Sequence, residues 1–108
     1  MDDDNQIIVA PSFIALCSDE HGRLRQSPDT VRERYELCED LACSLVEQAQ
    51  ALYHEAPSEA GVLRGIHAAV ASPATGLAPA EARWVVLRLA ELLNWPAPDG
   101  LELELSRP

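Results

Sequence analysis

The sequence predicts a mainly α fold, a three-helix bundle with an extended apolar N-terminal arm, and two observations carry that expectation. Apolar residues recur at helical spacing from Pro28 to about Ala56, and the same period returns over 58–71 and 79–94. Prolines punctuate those segments: Pro28 and Pro79 sit where helices open, Pro57 and Pro96 where they must stop. A chain of 108 residues, 47% apolar and 24% charged, has the size of one domain and enough apolar surface to offset chain entropy.

Residues 1–6 are polar and read as frayed, as do 106–108. Ile7-Ile8-Val9 is β-branched and extended, stopped by Pro11. Ser12–Cys17 is apolar but too short for periodicity to separate strand from helical turn; Phe13, Ile14 and Leu16 make it a covering arm. Asp19-Glu20-His21-Gly22 reads as an exposed loop.

Ser27-Pro28-Asp29 starts the longest helix, with a hydroxyl to cap it, proline in its first position and a carboxylate in its first turn. Val31, Tyr35, Cys38, Leu41, Ala42, Leu45, Ala49, Leu52 and Ala56 share one side. Glu33, Glu36, Asp40, Glu47 and His54 share the other. As one rod this segment spans about 42 Å. Ser58 caps a second helix to about Ala71, whose stripe is Val62, Leu63, Ile66, Ala69 and Val70. Gly61 and Gly65 weaken it by about 1 kcal/mol each and permit close helix approach. The third helix, 79–94, presents Ala82, Val85, Val86, Leu89, Leu92 and Leu93 to the core. Leu101–Leu105 alternates with period two. It is either a short strand paired with Ile7–Ala10 or a solvated tail.

Charge narrows the function. Eighteen acidic residues against eight basic ones give a net charge of −10, and every basic residue is arginine. Nucleic acid and anionic membranes are repelled by such a surface. Without lysine there is no Schiff base and no P-loop lysine. The same bias, with abundant Ala, Leu and Arg, suggests a GC-rich bacterial genome. No apolar run is long enough to span a bilayer, the acidic start is unlike a secretory signal, and three cysteines do not make a disulfide framework. These features predict a cytoplasmic protein.

No constellation reaches the specificity of a catalytic or metal motif. The acidic line on the long helix lacks a Glu-x-x-His pair and lies opposite the apolar face. Cys17 and His21 supply two zinc ligands where three or four are needed. Cys38 and Cys43 diverge by about 140° on one helix. Cys17 or Cys43 could meet His21, His54 or His67 only through the fold, and nothing local supports that pairing. One long helix followed by two shorter ones resembles the all-helical chorismate mutases. Those enzymes clamp a dicarboxylate with several arginines and a lysine, whereas this long helix offers only Arg32 and Arg34. Helices two and three are separated by too long a connection for a helix-turn-helix.

The candidate interface is the far side of the third helix: Trp84, Leu87, Arg88 and Trp95, with tryptophan and arginine both frequent at interface hot spots. That side is either a partner or homodimer surface, or core covered by the arm Ile7–Leu16.

Pro11-Ser12-Phe13-Ile14-Ala15-Leu16, Arg34–Ala42 (RYELCEDLA) and Ala82–Leu93 (ARWVVLRLAELL) resemble a family of short, uncharacterised proteobacterial proteins. Some members are labelled ATPases with chaperone activity. The resemblance implies no functional residues, and this chain has no P-loop for autonomous ATP hydrolysis. The sequence therefore predicts a bacterial protein-interaction module (adaptor, regulatory or chaperone-accessory) with no catalytic activity, cofactor or metal. Its partner would be another protein or a second copy. Two alternatives remain open: a small Cys/His-dependent enzyme or ligand-binding protein, and an obligate helical homodimer.

Overall fold

A computed structural model describes residues 9–98, which are mainly helical. The helices are α1 (Pro11–Leu16), α2 (Pro28–Ser44), α3 (Val46–Glu55), α4 (Glu59–Val70) and α5 (Pro79–Leu93), with one 3-10 turn at Pro73–Thr75. Among the described residues the β content is one isolated bridge, Ser18 to Leu24. The expected strand pair of Leu101–Leu105 with Ile7–Ala10, and the expected fraying of 1–6 and 106–108, lie on or against residues outside that range.

The chain divides into two compact units between Leu37 and Cys38, within α2. In the first unit, the segment expected as an extended arm is helical from Pro11. Proline fixes φ for a first helical turn, and the N–H groups of Phe13 and Ile14 both bond Ala10 O. Phe13 is fully buried and meets Tyr35 of α2 edge-on, centroids 5.6 Å apart. Ser27 opens α2: its Oγ accepts from Thr30 N–H at 3.1 Å and its carbonyl from Val31 N–H.

The second unit holds the end of α2 with α3, α4 and α5; the last three pack against one another pairwise. The long rod expected over 28–56 is two helices. At Leu45 the backbone leaves ideal α geometry (φ −87, ψ −7), and its N–H is shared between Leu41 O and Ala42 O. Ser44 Oγ donates to Leu41 O at 2.8 Å, so a side chain competes for the backbone acceptor at the break. Apolar periodicity does not record that competition, and the stripe runs straight through it.

Cys38, Ala42 and Ala49 supply the α2–α3 share of the core. Val62, Leu63, Ile66 and Val70 come from α4, and Ala82, Trp84, Val85, Val86, Leu89 and Ala90 from α5. Four expected core residues are exposed: Leu52 and Leu92, each at 38%, and Ala56 and Ala69. Between α4 and α5, Gly76 takes a left-handed φ of 76, and Thr75 Oγ1 lies 2.8 Å from Val70 O and 2.9 Å from Ser72 O. Helix α5 begins with a one-armed capping box, Glu81 Oε1 accepting from Ala78 N–H at 2.9 Å. It ends in a Schellman turn: Asn94 is left-handed (φ 61), with Trp95 N–H on Ala90 O and Asn94 N–H on Glu91 O.

Ser58 Oγ accepts from Gly61 N–H at 3.0 Å and so caps α4. Ser58→Ala is expected to lower stability by about 1 kcal/mol, and Ser58→Asp to keep most of it. In urea unfolding this appears as a lower midpoint at unchanged slope; an unmoved midpoint for Ser58→Ala would refute the role.

Candidate functional site

The structure separates the four candidate interface residues. Trp84 is 3% exposed, so its indole belongs to the interior and cannot be offered to a partner without local opening. The reason lies in how α5 is covered. Near its start it is buried on both sides, Trp84 on one and Ala82, Val85 and Val86 on the other. One turn further along the Trp84 side, burial is incomplete: Leu87, Arg88 and Trp95 are half-buried.

Arg88 is also occupied. Its Nε donates to Glu39 Oε1 at 2.9 Å and its Nη2 to Glu39 Oε2 at 3.0 Å, a fork-on-fork pair joining α5 to the C-terminal part of α2. Nη1 adds Glu91 Oε1 at 3.1 Å. These carboxylates, Glu39 foremost, hold the guanidinium charged well above its ordinary value. Trp95 is packed too, its ring 5.3 Å from that of Tyr53 on α3. The sequence-derived patch is thus one core residue, one clamp and one aromatic pair, with Leu87 between them.

Cys38 is buried, and Cys43 is exposed with Sγ 3.9 Å from a Glu39 carboxylate oxygen rather than an imidazole. His54 is exposed and His67 half-buried. Among the described residues no three His, Cys, Asp or Glu side chains converge as a metal site would require. The loop carrying Cys17 and His21 is held by its own backbone. Asp19 Oδ1 accepts from His21 N–H at 2.8 Å and Arg23 N–H at 3.0 Å, Asp19 N–H donates to Arg23 O, and Gly22 is left-handed.

What sequence reasoning missed is a groove of about 400 Å³ between α3 and α4. Leu52, Glu55 and Ala56 line it on one side, and Gly61, Val62 and Gly65 on the other. Leu52 and Ala56 continue the apolar stripe on which Cys38, Ala42 and Ala49 are buried, but among the described residues they are left partly open, Leu52 at 38%. The two glycines differ. A Cβ at Gly61 would lie 2.9 Å from Ser58 Oγ, the end of a side chain that would have to shift to admit it. A Cβ at Gly65 would meet nothing within 4 Å. The available signal was the pair of glycines four apart in α4; a helical wheel shows the apolar side without showing what lies over it.

Among the described residues no helix is long and apolar enough to cross a membrane. Comparison with protein-family models, with curated proteins and with solved structures gave no match to this chain.

Both partners of the Arg88–Glu39 pair keep some solvent contact, 32% and 22% of their side-chain surfaces. Its coupling is therefore expected near 1 kcal/mol, below the ~3–5 kcal/mol lost on breaking a fully buried pair. A double-mutant cycle of Arg88→Met and Glu39→Gln measures it, and zero coupling would show the clamp to be incidental. The loop makes a separate prediction. Two backbone N–H bonds hold the Asp19 carboxyl below its ordinary 3.8. A depressed folded value means the carboxylate's contribution is complete above the unfolded value and is lost as pH falls through the folded one. Amide shifts of His21 and Arg23 should titrate with a midpoint under 3.8; a midpoint at or above it would disprove those bonds in solution.

Proposed function

We propose that the protein is a cytoplasmic bacterial interaction module, an adaptor, regulatory or chaperone-accessory protein built as a three-helix body, and that it works by docking rather than by catalysis. One observation carries this reading: an apolar groove between α3 and α4 that leaves Leu52 and Ala56 exposed on a stripe whose earlier positions are buried or half-buried. Apolar surface of this kind commonly marks a binding site. The docking surface moves accordingly from Trp84 and Arg88 to the groove. On the Trp84 side the tryptophan is interior, the arginine is held, and Leu87 and Trp95 are half-buried.

A net charge of −10 supports a protein partner over nucleic acid or an anionic membrane, and tells against tight self-association through a neutral apolar face. The resemblance to proteins labelled as chaperone-associated ATPases is compatible with an accessory role, in which nucleotide chemistry belongs to the partner.

The test is quantitative affinity capture from bacterial extract with wild-type protein and Leu52→Gln as baits. Glutamine keeps helix propensity while removing the apolar side chain. The expected result is at least one protein captured in near-stoichiometric amount by wild type and depleted about tenfold or more by Leu52→Gln at unchanged helicity. Equal capture by both baits, or no stoichiometric capture, would refute the reading.

A further inference from the structure

We infer that the α3–α4 groove receives an amphipathic helix from a partner protein, which inserts apolar side chains over Leu52 and Gly65 and places an arginine or lysine against Glu55. The inference rests on the groove being the docking surface and adds what docks there. Its starting point is Gly65. A glycine inside a helix is disfavoured relative to alanine, and a fold keeps one where backbone conformation or a close neighbour requires it. Neither holds at Gly65: the residue lies within regular α4, and the space where its Cβ would be is empty. At Gly61, one turn earlier, an added Cβ would press on Ser58 Oγ; at Gly65 it would meet nothing among the described residues. The missing side chain widens the groove on the side facing Leu52 and Ala56.

Shape favours a helix. The groove lies between two packed helices and is open to solvent along Leu52, Glu55, Gly61 and Gly65. A small molecule needs burial on most sides, which an open trough does not give. A helix laid along it needs one apolar stripe, and absent side chains at Gly61 and Gly65 let its backbone approach closely. Charge supplies polarity: among the described residues Glu55 is the one charged side chain lining the groove, in a protein of net charge −10. A cation beside the incoming apolar stripe is therefore the complementary choice, and an acidic helix is rejected. A second copy would bring the same excess of negative charge.

A displayed library of random peptides of about 16 residues, long enough for roughly four helical turns, is selected on the immobilised full chain. Recovered peptides are titrated against wild type, Gly65→Leu, Gly65→Ala and Glu55→Gln. The expected peptides carry apolar residues at helical spacing with a flanking Arg or Lys, and gain helicity on binding. Affinity should fall about tenfold or more for Gly65→Leu, less for Gly65→Ala, and about threefold for Glu55→Gln. Melting temperatures of both Gly65 variants should equal or exceed wild type, so that lost binding is not lost folding. Peptides that bind Gly65→Leu as well as wild type would overturn the groove as the site, and with it the docking reading. Peptides blocked by Gly65→Leu but lacking a cation and indifferent to Glu55→Gln would overturn only the proposed partner chemistry. A wild-type dimer dissolved by Gly65→Leu would replace the partner helix with a second copy. Recovery of no groove-dependent peptide would overturn the partner helix, while the capture comparison of wild type and Leu52→Gln still judges the docking reading on its own.

Discussion

Burial of α5 is the constraint on which the second unit depends. This helix contributes more of the buried apolar side chains than any other described helix, and it is covered on opposite sides near its start. A helix enclosed in that way is stabilised by roughly 1.5–3 kcal/mol for each large side chain removed from water, but burial alone leaves its rotation and sliding poorly determined. Its ends are held by directional bonds instead. Glu81 fixes the first turn through Ala78 N–H, and Asn94 in the left-handed conformation closes the last by the paired bonds to Ala90 and Glu91 carbonyls. Arg88 then sets the rotation, because a guanidinium fork meets both carboxylate oxygens of Glu39 only in a narrow range of angles. The pair thus contributes more to register than to stability.

How much of this was legible can be traced residue by residue. The positions that open α2, α4 and α5 could be read from Ser27-Pro28, Ser58 and Pro79, because caps and fixed φ angles are local chemistry. The buried residues of α4 could be read from a single stripe. The break at Leu45 could not, because it turns on which acceptor the Ser44 hydroxyl selects, a choice that apolar spacing does not encode. For Trp84 and Arg88 the sequence left two readings, partner surface or covered core, and could not choose between them for a related reason. A wheel assigns each helix one inner side, while α5 has buried residues on two, and an arginine's partner 49 positions away in the chain has no sequence signature. The α1 segment was ambiguous because six residues are less than two helical turns, so only Pro11 favoured helix over strand.

The groove was illegible for the opposite reason: its residues look ordinary. Leu52 and Ala56 read as core because they obey the core's period, and the pattern cannot reveal that covering residues stop short of them. The break at Leu45 and the stop at Pro57 limit α3 to ten residues, and α4 returns immediately through Ser58. Such a hairpin leaves a trough wherever its facing residues are small. A Cβ at Gly61 would crowd the Ser58 cap, whereas one at Gly65 would meet nothing among the described residues.

An open apolar trough is ordinarily a liability, because it invites the same surface of another molecule. Here the surrounding charge changes the balance. Two copies approaching groove to groove bring two bodies of net charge −10 together, with a Glu55 carboxylate in each trough. The desolvation of those carboxylates and their mutual repulsion oppose the apolar gain. A cationic amphipathic helix meets the reverse situation, since the long-range field attracts it and Glu55 gains a counter-charge on contact. On the proposed reading, the acidic excess of the chain selects the sign of what can occupy the groove.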